Sequence, residues 1–177
     1  MYGKSKLAGE IAVASCANYH VILRTSWVCS PIEHNFVKTM SRFARDRDEV
    51  AVVDDQWGAP AFASDLAAST TSIGDKLASV DDRSHFSGIY RASSAGEATW
   101  CRLAREIMVR LAAKGSPRCR VRAIASREYP TRAKRPQNSR FDCSKLKRVF
   151  GLSLPRWQTS LETCLDMILD QTAGTSI

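Results

Sequence analysis

Tyr2 and Lys6 stand four residues apart near the start of the chain. On a helix that spacing puts both side chains on one face. A phenol in water gives up its proton only near pH ~10, and an adjacent ammonium stabilises the phenolate and brings that value down. Such a pair can serve as a general acid toward a carbonyl undergoing reduction. The spacing alone is a weak signal. Four Tyr and eight Lys among 177 residues give about 0.2 such pairs by chance, and an exposed tyrosine beside a solvated lysine accounts for it equally well. Metal chemistry has less to work with: Cys16, Cys29, Cys101, Cys119, Cys143 and Cys164 are scattered singly, no C-x-x-C occurs, and His20, His34 and His85 stand apart. No structural zinc is expected, and the cysteines read as reduced thiols.

The elements that must position Tyr2 and Lys6 follow from periodicity. Residues 3–16 place Leu7, Ile11 and Ala14 at helical spacing, which predicts an amphipathic helix. Residues 19–24 are β-rich and nearly continuously apolar at their centre, as in a strand buried on both faces of a parallel sheet. Residues 35–45 carry Phe36, Met40 and Phe43 on one helical face behind an Asn start able to cap the first turn. Val50–Val53 reads as a strand ended by the turn at 54–60. Ser64-Asp65 then suggests the cap of a helix running to about Ile73. A strand is expected at 88–92, a helix at 97–113, a strand at 121–125, a short helix at 144–150 closed by Gly151, and an amphipathic helix at 157–169. The stretch 114–140, rich in Arg, Pro and Ser, reads as a long ordered loop containing that one strand. Alternation of helices and strands without repeats suits a mostly parallel sheet with covering helices.

Composition narrows the function classes. The chain is 44% hydrophobic and 25% charged, which is globular rather than disordered. No apolar run approaches the roughly 18 residues of a membrane span, and no apolar signal region opens the sequence, so the cytoplasm is the expected compartment. The net charge of +8 is uneven: residues 91–150 hold 16 Lys and Arg against 4 Asp and Glu. That segment could meet nucleic acid, meet a small polyanion such as a nucleotide diphosphate, or form a solvated helix face. It lacks interleaved aromatics and any named nucleic-acid module, so nucleic acid is not expected.

Several words occur in order: YGKSKLAGE at 2–10, LRTSWV at 23–28, NFVKTM at 35–40, VVDDQWGAP at 52–60, SDLA at 64–67, GIYRAS at 88–93, GEATW at 96–100, EYPTRAKRP at 128–136 and SRFDCSKL at 139–146. Together they resemble the dTDP-4-dehydrorhamnose reductase family, extended short-chain dehydrogenases/reductases that catalyse the last step of dTDP-L-rhamnose synthesis for surface polysaccharides. The resemblance runs from Tyr2 to about Leu165. It implies an α/β fold, the C-terminal part of a Rossmann-type NAD(P)-binding fold with an interleaved substrate-binding α/β subdomain. Residues 1–30 and 62–95 would belong to the Rossmann part, and residues 31–61 and 96–177 to the sugar-nucleotide subdomain.

Position by position, the resemblance makes Tyr2 the proton donor to the substrate's 4-keto oxygen, with hydride from NADPH or NADH. It makes Lys6 the cation that eases the phenolic proton away and holds the nicotinamide ribose. Trp27 matches a tryptophan that packs against the deoxysugar, although a core tryptophan after a strand would look the same. Asn35 and Gln56, the latter in the turn to Pro60, fall where the family lines its sugar-nucleotide cleft; capping and turn formation also explain them. Arg135 is the candidate phosphate contact, since a guanidinium fork suits a diphosphate, though a surface arginine is the plain alternative.

Some family features are missing. The sequence holds no G-x-G-x-x-G or G-x-x-G-x-x-G turn to receive a pyrophosphate at a helix N-terminus, and no counterpart of the Ser/Thr that precedes the family tyrosine. Cys29-Ser30-Pro31 and Ala61 also depart from the usual words. The expectation is a truncated unit lacking the N-terminal Gly-rich half and inactive by itself. Residues 19–24 would then have an exposed sheet edge and an uncovered apolar face, open to self-association or to a complementing chain. A non-catalytic module binding a sugar nucleotide or a partner is the other reading.

Overall fold

The computed structural model describes residues 2–131, 133 and 135–173. Helix α1 (Tyr2–Cys16) leads into strand β1 (Val21–Arg24), and Trp27 precedes the short strand β2 (Val28–Cys29). Helix α2 (Phe36–Asp46) starts as predicted. Asn35 holds the N-cap position in extended backbone, and its side-chain oxygen accepts from the N–H groups of Val37 and Lys38 at 3.1 and 3.3 Å. Strands β3 (Glu49–Val53), β4 (Trp57–Gly58) and β5 (Ala61–Phe62) follow, then helix α3 (Ala63–Ala78).

At α3 the structure departs from the local pattern. Phe62 occupies the cap position without a side-chain bond, and the helix continues past Ile73 to Ala78. Asp65 lies inside the first turn, where its charge suits the helix dipole. Its carboxylate accepts from Ser160 Oγ at 2.6 Å. A partner 95 residues away takes the oxygen that a cap would have used.

Strands β6 (Gly88–Arg91), β7 (Ser94–Ala95) and β8 (Ala98–Thr99) come next. Helix α4 (Trp100–Ala113) begins later than the periodicity suggests, because residues 98–99 pair antiparallel with β4 before Thr99 caps the helix. Strand β9 (Arg120–Ile124) lies within the long basic loop. Helix α5 (Ser144–Phe150) closes on Gly151 at φ 72°, the left-handed conformation that glycine adopts freely. Strand β10 (Leu154–Arg156) and helix α6 (Trp157–Ala173) complete the described chain.

The fold is α/β. β1 pairs with β6, β2 with β5, β3 with β9 and β7 with β10, all parallel, while β4 and β8 are antiparallel. Among the described residues each sheet has two strands. The larger core packs α2, α4 and α6 through residues such as Val37, Leu103, Ile107, Leu161 and Leu165. A smaller one gathers Ile73, Tyr90, Ala92, Leu146 and Leu154 against Val21 and Leu23, so α5 packs with the β1–β6 pair.

β1 carries the uncovered apolar face expected of a truncated unit, not the two-sided burial that its apolar run taken alone suggests. Val21 to Leu23 are half-buried and Arg24 is exposed, rather than buried on both faces. The apolar run states what the strand could bury; among the described residues β6 is its one ladder partner, and α1, none of whose 15 residues is buried, does not close over it.

Candidate active site

The two residues picked out by spacing are brought together on α1. Lys6 Nζ lies 5.5 Å from the centroid of the Tyr2 ring, and Ser5 Oγ donates to the Tyr2 carbonyl at 2.8 Å. Tyr2 is 78% exposed, and Leu7, Ile11 and Val13 on the same helix are exposed as well. Leu7 and Ile11, the stripe read from the sequence, are therefore present but uncovered. A fork of bonds ties α1 to β1: Arg24 Nε and Nη2 donate to the two oxygens of Glu10 at 2.8 and 2.5 Å. Those bonds hold the Glu10 carboxyl below its ordinary range and raise the Arg24 guanidinium.

A second group assembles around Trp27. Its backbone sits at φ 52°, a region that non-glycine residues enter rarely and that recurs at functional sites. The half-buried indole stacks on Trp100 with centroids 3.7 Å apart and planes 13° from parallel. Phe36 tilts against Trp100 in turn, at 4.7 Å. Gly58 lies against the same indole: a Cβ there would stand 2.7 Å from Trp27 Cε2 and 2.7 Å from Ser139 Oγ. Just before Trp27, the hydroxyls of Thr25 and Ser26 are buried without a hydrogen-bond partner.

The 54–60 turn forms the adjoining wall. Thr99 Oγ1 donates a short hydrogen bond to Asp54 and accepts from Arg102 N–H at 3.1 Å. Asp55 accepts from both the N–H and the hydroxyl of Ser126, and these bonds lower its carboxyl below the usual range. Gln56 Nε2 donates to Ser126 Oγ at 2.8 Å. Trp57 N–H donates to the Gln137 carbonyl at 2.7 Å and its own carbonyl accepts from Ser139 N–H at 2.8 Å, which draws the basic loop alongside. The guanidiniums of Arg102 and Arg140 lie over the Trp57 ring at 5.9 and 5.8 Å, and Arg140 also pairs with Glu97.

The residues named from the sequence thus fall into distinct settings. Tyr2 and Lys6 are together on α1. Trp27 and Gln56 flank the turn. Asn35 is at the head of α2, its amide nitrogen donating to the Ser30 carbonyl at 2.7 Å and its oxygen capping, so its side chain is engaged locally. Arg135 is exposed on the basic loop. Sequence reasoning passed over Trp100, Thr99 and Ser126. The word GEATW held a signal for two of them, a Thr cap followed at once by an aromatic residue. Among the described residues no three His, Cys, Asp or Glu side chains gather as a metal site, and no helix is long and apolar enough to cross a membrane.

The family model of the RmlD substrate binding domain matches residues 1–169. The chain belongs to this family. The RmlD match takes in α1 as well as the Trp27 wall, so one family pattern spans both parts of the candidate site. The dTDP-4-dehydrorhamnose reductase of Sinorhizobium fredii is 43% identical over 160 residues, covering 90% of this chain and 54% of that protein. The corresponding protein of Escherichia coli K12 is 37% identical over 175 residues, covering 98% and 58%. A crystal structure of a dTDP-4-dehydrorhamnose reductase ortholog from Clostridium acetobutylicum matches with a TM-score of 0.84 at 30% identity, over 95% of this chain and 55% of that one. The Bacillus anthracis reductase, solved in complex with NADP, matches at 0.78 with 32% identity, over 93% and 54%. The chain spans about half the length of the curated relatives it matches.

Proposed function

We propose that this chain carries the proton-donating and sugar-nucleotide-binding side of a dTDP-4-dehydrorhamnose reductase, which reduces the 4-keto group of dTDP-4-dehydro-L-rhamnose to give dTDP-L-rhamnose. The observation that carries this reading is the Tyr2–Lys6 pair one helical turn apart, its ammonium 5.5 Å from the ring. Tyr2 Oη hands its proton to the 4-keto oxygen as the alcohol forms, and the Lys6 ammonium stabilises the phenolate left behind. A nicotinamide dinucleotide, NADPH or NADH, supplies the hydride when bound.

Of the residues present, Tyr2 and Lys6 fit the nicotinamide-ribose end of that cofactor. Its diphosphate calls for a Gly-rich strand–turn–helix that this sequence does not contain. The exposed Leu7, Ile11 and Val13 of α1 and the second edge of β1 support the docking there of the body that brings this turn. Residues 1–30 and 62–95 then complete a Rossmann domain, and residues 31–61 and 96–177 form the sugar-nucleotide subdomain. Trp27, at the end of the first Rossmann segment, packs on the deoxysugar, while in the subdomain Arg135 meets the diphosphate and Asn35 and Gln56 shape the cleft from the α2 cap and the 54–60 turn. The cytoplasm is the compartment where such a reaction finds its nucleotide sugar and its nicotinamide.

The test mixes the purified chain with NADPH and dTDP-4-dehydro-L-rhamnose, alone and with the dinucleotide-binding half of a relative, and follows NADPH absorbance. Oxidation is expected in the complemented sample and lost with Tyr2→Phe. Full activity in Tyr2→Phe, or none after complementation, refutes the reading. A second reading, a non-catalytic sugar-nucleotide module, draws on the Trp27 wall being packed against the larger core without any contribution from α1. Calorimetric dTDP binding without turnover in the complemented sample would favour it.

A further inference from the structure

We infer that Trp100 is a positioning residue for sugar recognition: its indole fixes the plane of the Trp27 ring. The inference rests on the reading above, in which Trp27 packs against the deoxysugar. Trp27 lies in the link between β1 and β2 with a positive φ, itself outside any helix or strand. One face of the ring is held by Trp100, stacked nearly parallel at 3.7 Å, with Phe36 bracing Trp100 from α2 at 4.7 Å. A face-to-face indole pair restricts ring rotation far more than an aliphatic contact would, because tilting either ring breaks contact along its whole area.

Trp100 is itself held at the first residue of α4. Thr99 caps that helix and is bound to Asp54, while Thr99 also pairs in register with Trp57. The tier thus links the 54–60 turn to the Trp27 ring through Thr99 and Trp100, beside the direct approach of Gly58 to the indole. Trp27 remains half-buried as a residue, and one face of its indole is occupied by Trp100.

The experiment measures Kd for dTDP and for dTDP-L-rhamnose by calorimetry with the full chain. The quantity read is the preference for the sugar-bearing ligand over dTDP. A purely structural role for Trp100 would move both constants together or neither. Trp100→Ala is expected to cut the preference roughly three- to tenfold, the worth of an aromatic pair, and Trp100→Phe to restore most of it. Should Trp100→Ala not fold, Trp100→Leu keeps much of the volume without the flat face and carries the same comparison. Trp27→Ala separates the two readings. If it leaves the preference intact, the sugar contact of Trp27 is refuted. If it abolishes the preference while Trp100→Ala or Trp100→Leu does not alter it, the sugar contact stands and the positioning role of Trp100 is overturned.

Discussion

Gly58→Ala should destabilise the protein, and the structure gives the size of the effect. The added Cβ would stand 2.7 and 2.8 Å from Cε2 and Cζ2 of Trp27 and 2.7 Å from Ser139 Oγ. Carbon atoms in contact sit about 3.5–4.0 Å apart, so something must give by most of an ångström. The indole has little room to retreat, because Trp100 lies 3.7 Å from it. Overpacking of this kind costs about 1–3 kcal/mol. Gly58 lacks a positive φ, so alanine fits its backbone and recovers about 0.4–1 kcal/mol by restricting the unfolded chain. These ranges leave a net loss of about 0–2.6 kcal/mol, about 1.3 kcal/mol at their midpoints, which is roughly 3–5 °C in melting temperature for a chain of this size. Circular dichroism melts measure it, with tryptophan fluorescence reporting the displaced ring. Gly74→Ala is the internal control of opposite sign. It lies within α3 with nothing inside 4 Å of the new Cβ, and replacing a mid-helix glycine there should stabilise by about 0.5–1 kcal/mol. A Gly58→Ala protein that melts at or above the wild-type temperature with unchanged fluorescence refutes the close packing of Trp27 on the turn.

Asn35→Ala should cost about 1–2 kcal/mol in urea unfolding, since it removes the α2 cap and the anchor to the Ser30 carbonyl together; a midpoint equal to wild type would show that neither bond matters. Burial pushes the Cys29 thiol up to about 12 and the Cys164 thiol to about 11, so at pH ~8 both should resist a thiol reagent that labels exposed Cys16 at once, until urea opens the fold. Peptide mapping after labelling distinguishes them, and rapid native modification of Cys29 would contradict its burial. The Ser126 bonds hold Asp55 low, so they add stability above the unfolded carboxyl value of about 3.9 and lose it as pH falls through the lower folded value. Ser126→Ala should therefore differ from wild type most at neutral pH, with the gap narrowing below pH ~4. A gap that widens in acid reverses the assigned sign.

Features decided within a few residues were legible in the sequence. Asn35 caps α2, Gly151 closes α5 in the left-handed conformation, and Tyr2 and Lys6 share a helical face, each by local geometry alone. The errors came where a distant partner competed. Asp65 reads as part of a cap until Ser160, 95 residues on, takes its carboxylate. Gln56 is a turn residue in sequence and a tether to Ser126, 70 residues away, in the fold. Trp100 sits inside a predicted helix; its place beside Trp27 depends on β8 pairing with β4, which no local window contains. β1 shows a related limit: its apolar run records the capacity for burial and not the presence of a cover, and it is the missing Gly-rich half that points to an uncovered face.

The same distinction separates the two parts of the candidate site. Around Trp27 the geometry is over-determined: the stack with Trp100, the close approach of Gly58, the Asp54–Thr99 bond and the Ser126 tether each restrict the same wall. Tyr2 and Lys6 are related by helical spacing, on a helix with no buried residue that the Glu10–Arg24 fork fastens to β1. An exposed ion pair contributes little to stability, and a helix of this length draws most of its stability from packing an apolar face. The wall around Trp27 is therefore positioned by contacts that do not involve α1. Tyr2 is held in place only to the extent that α1 is covered, so in the proposed function docking of a body on Leu7 and Ile11 would supply the cofactor's seat and fix the Tyr2–Lys6 pair in one event.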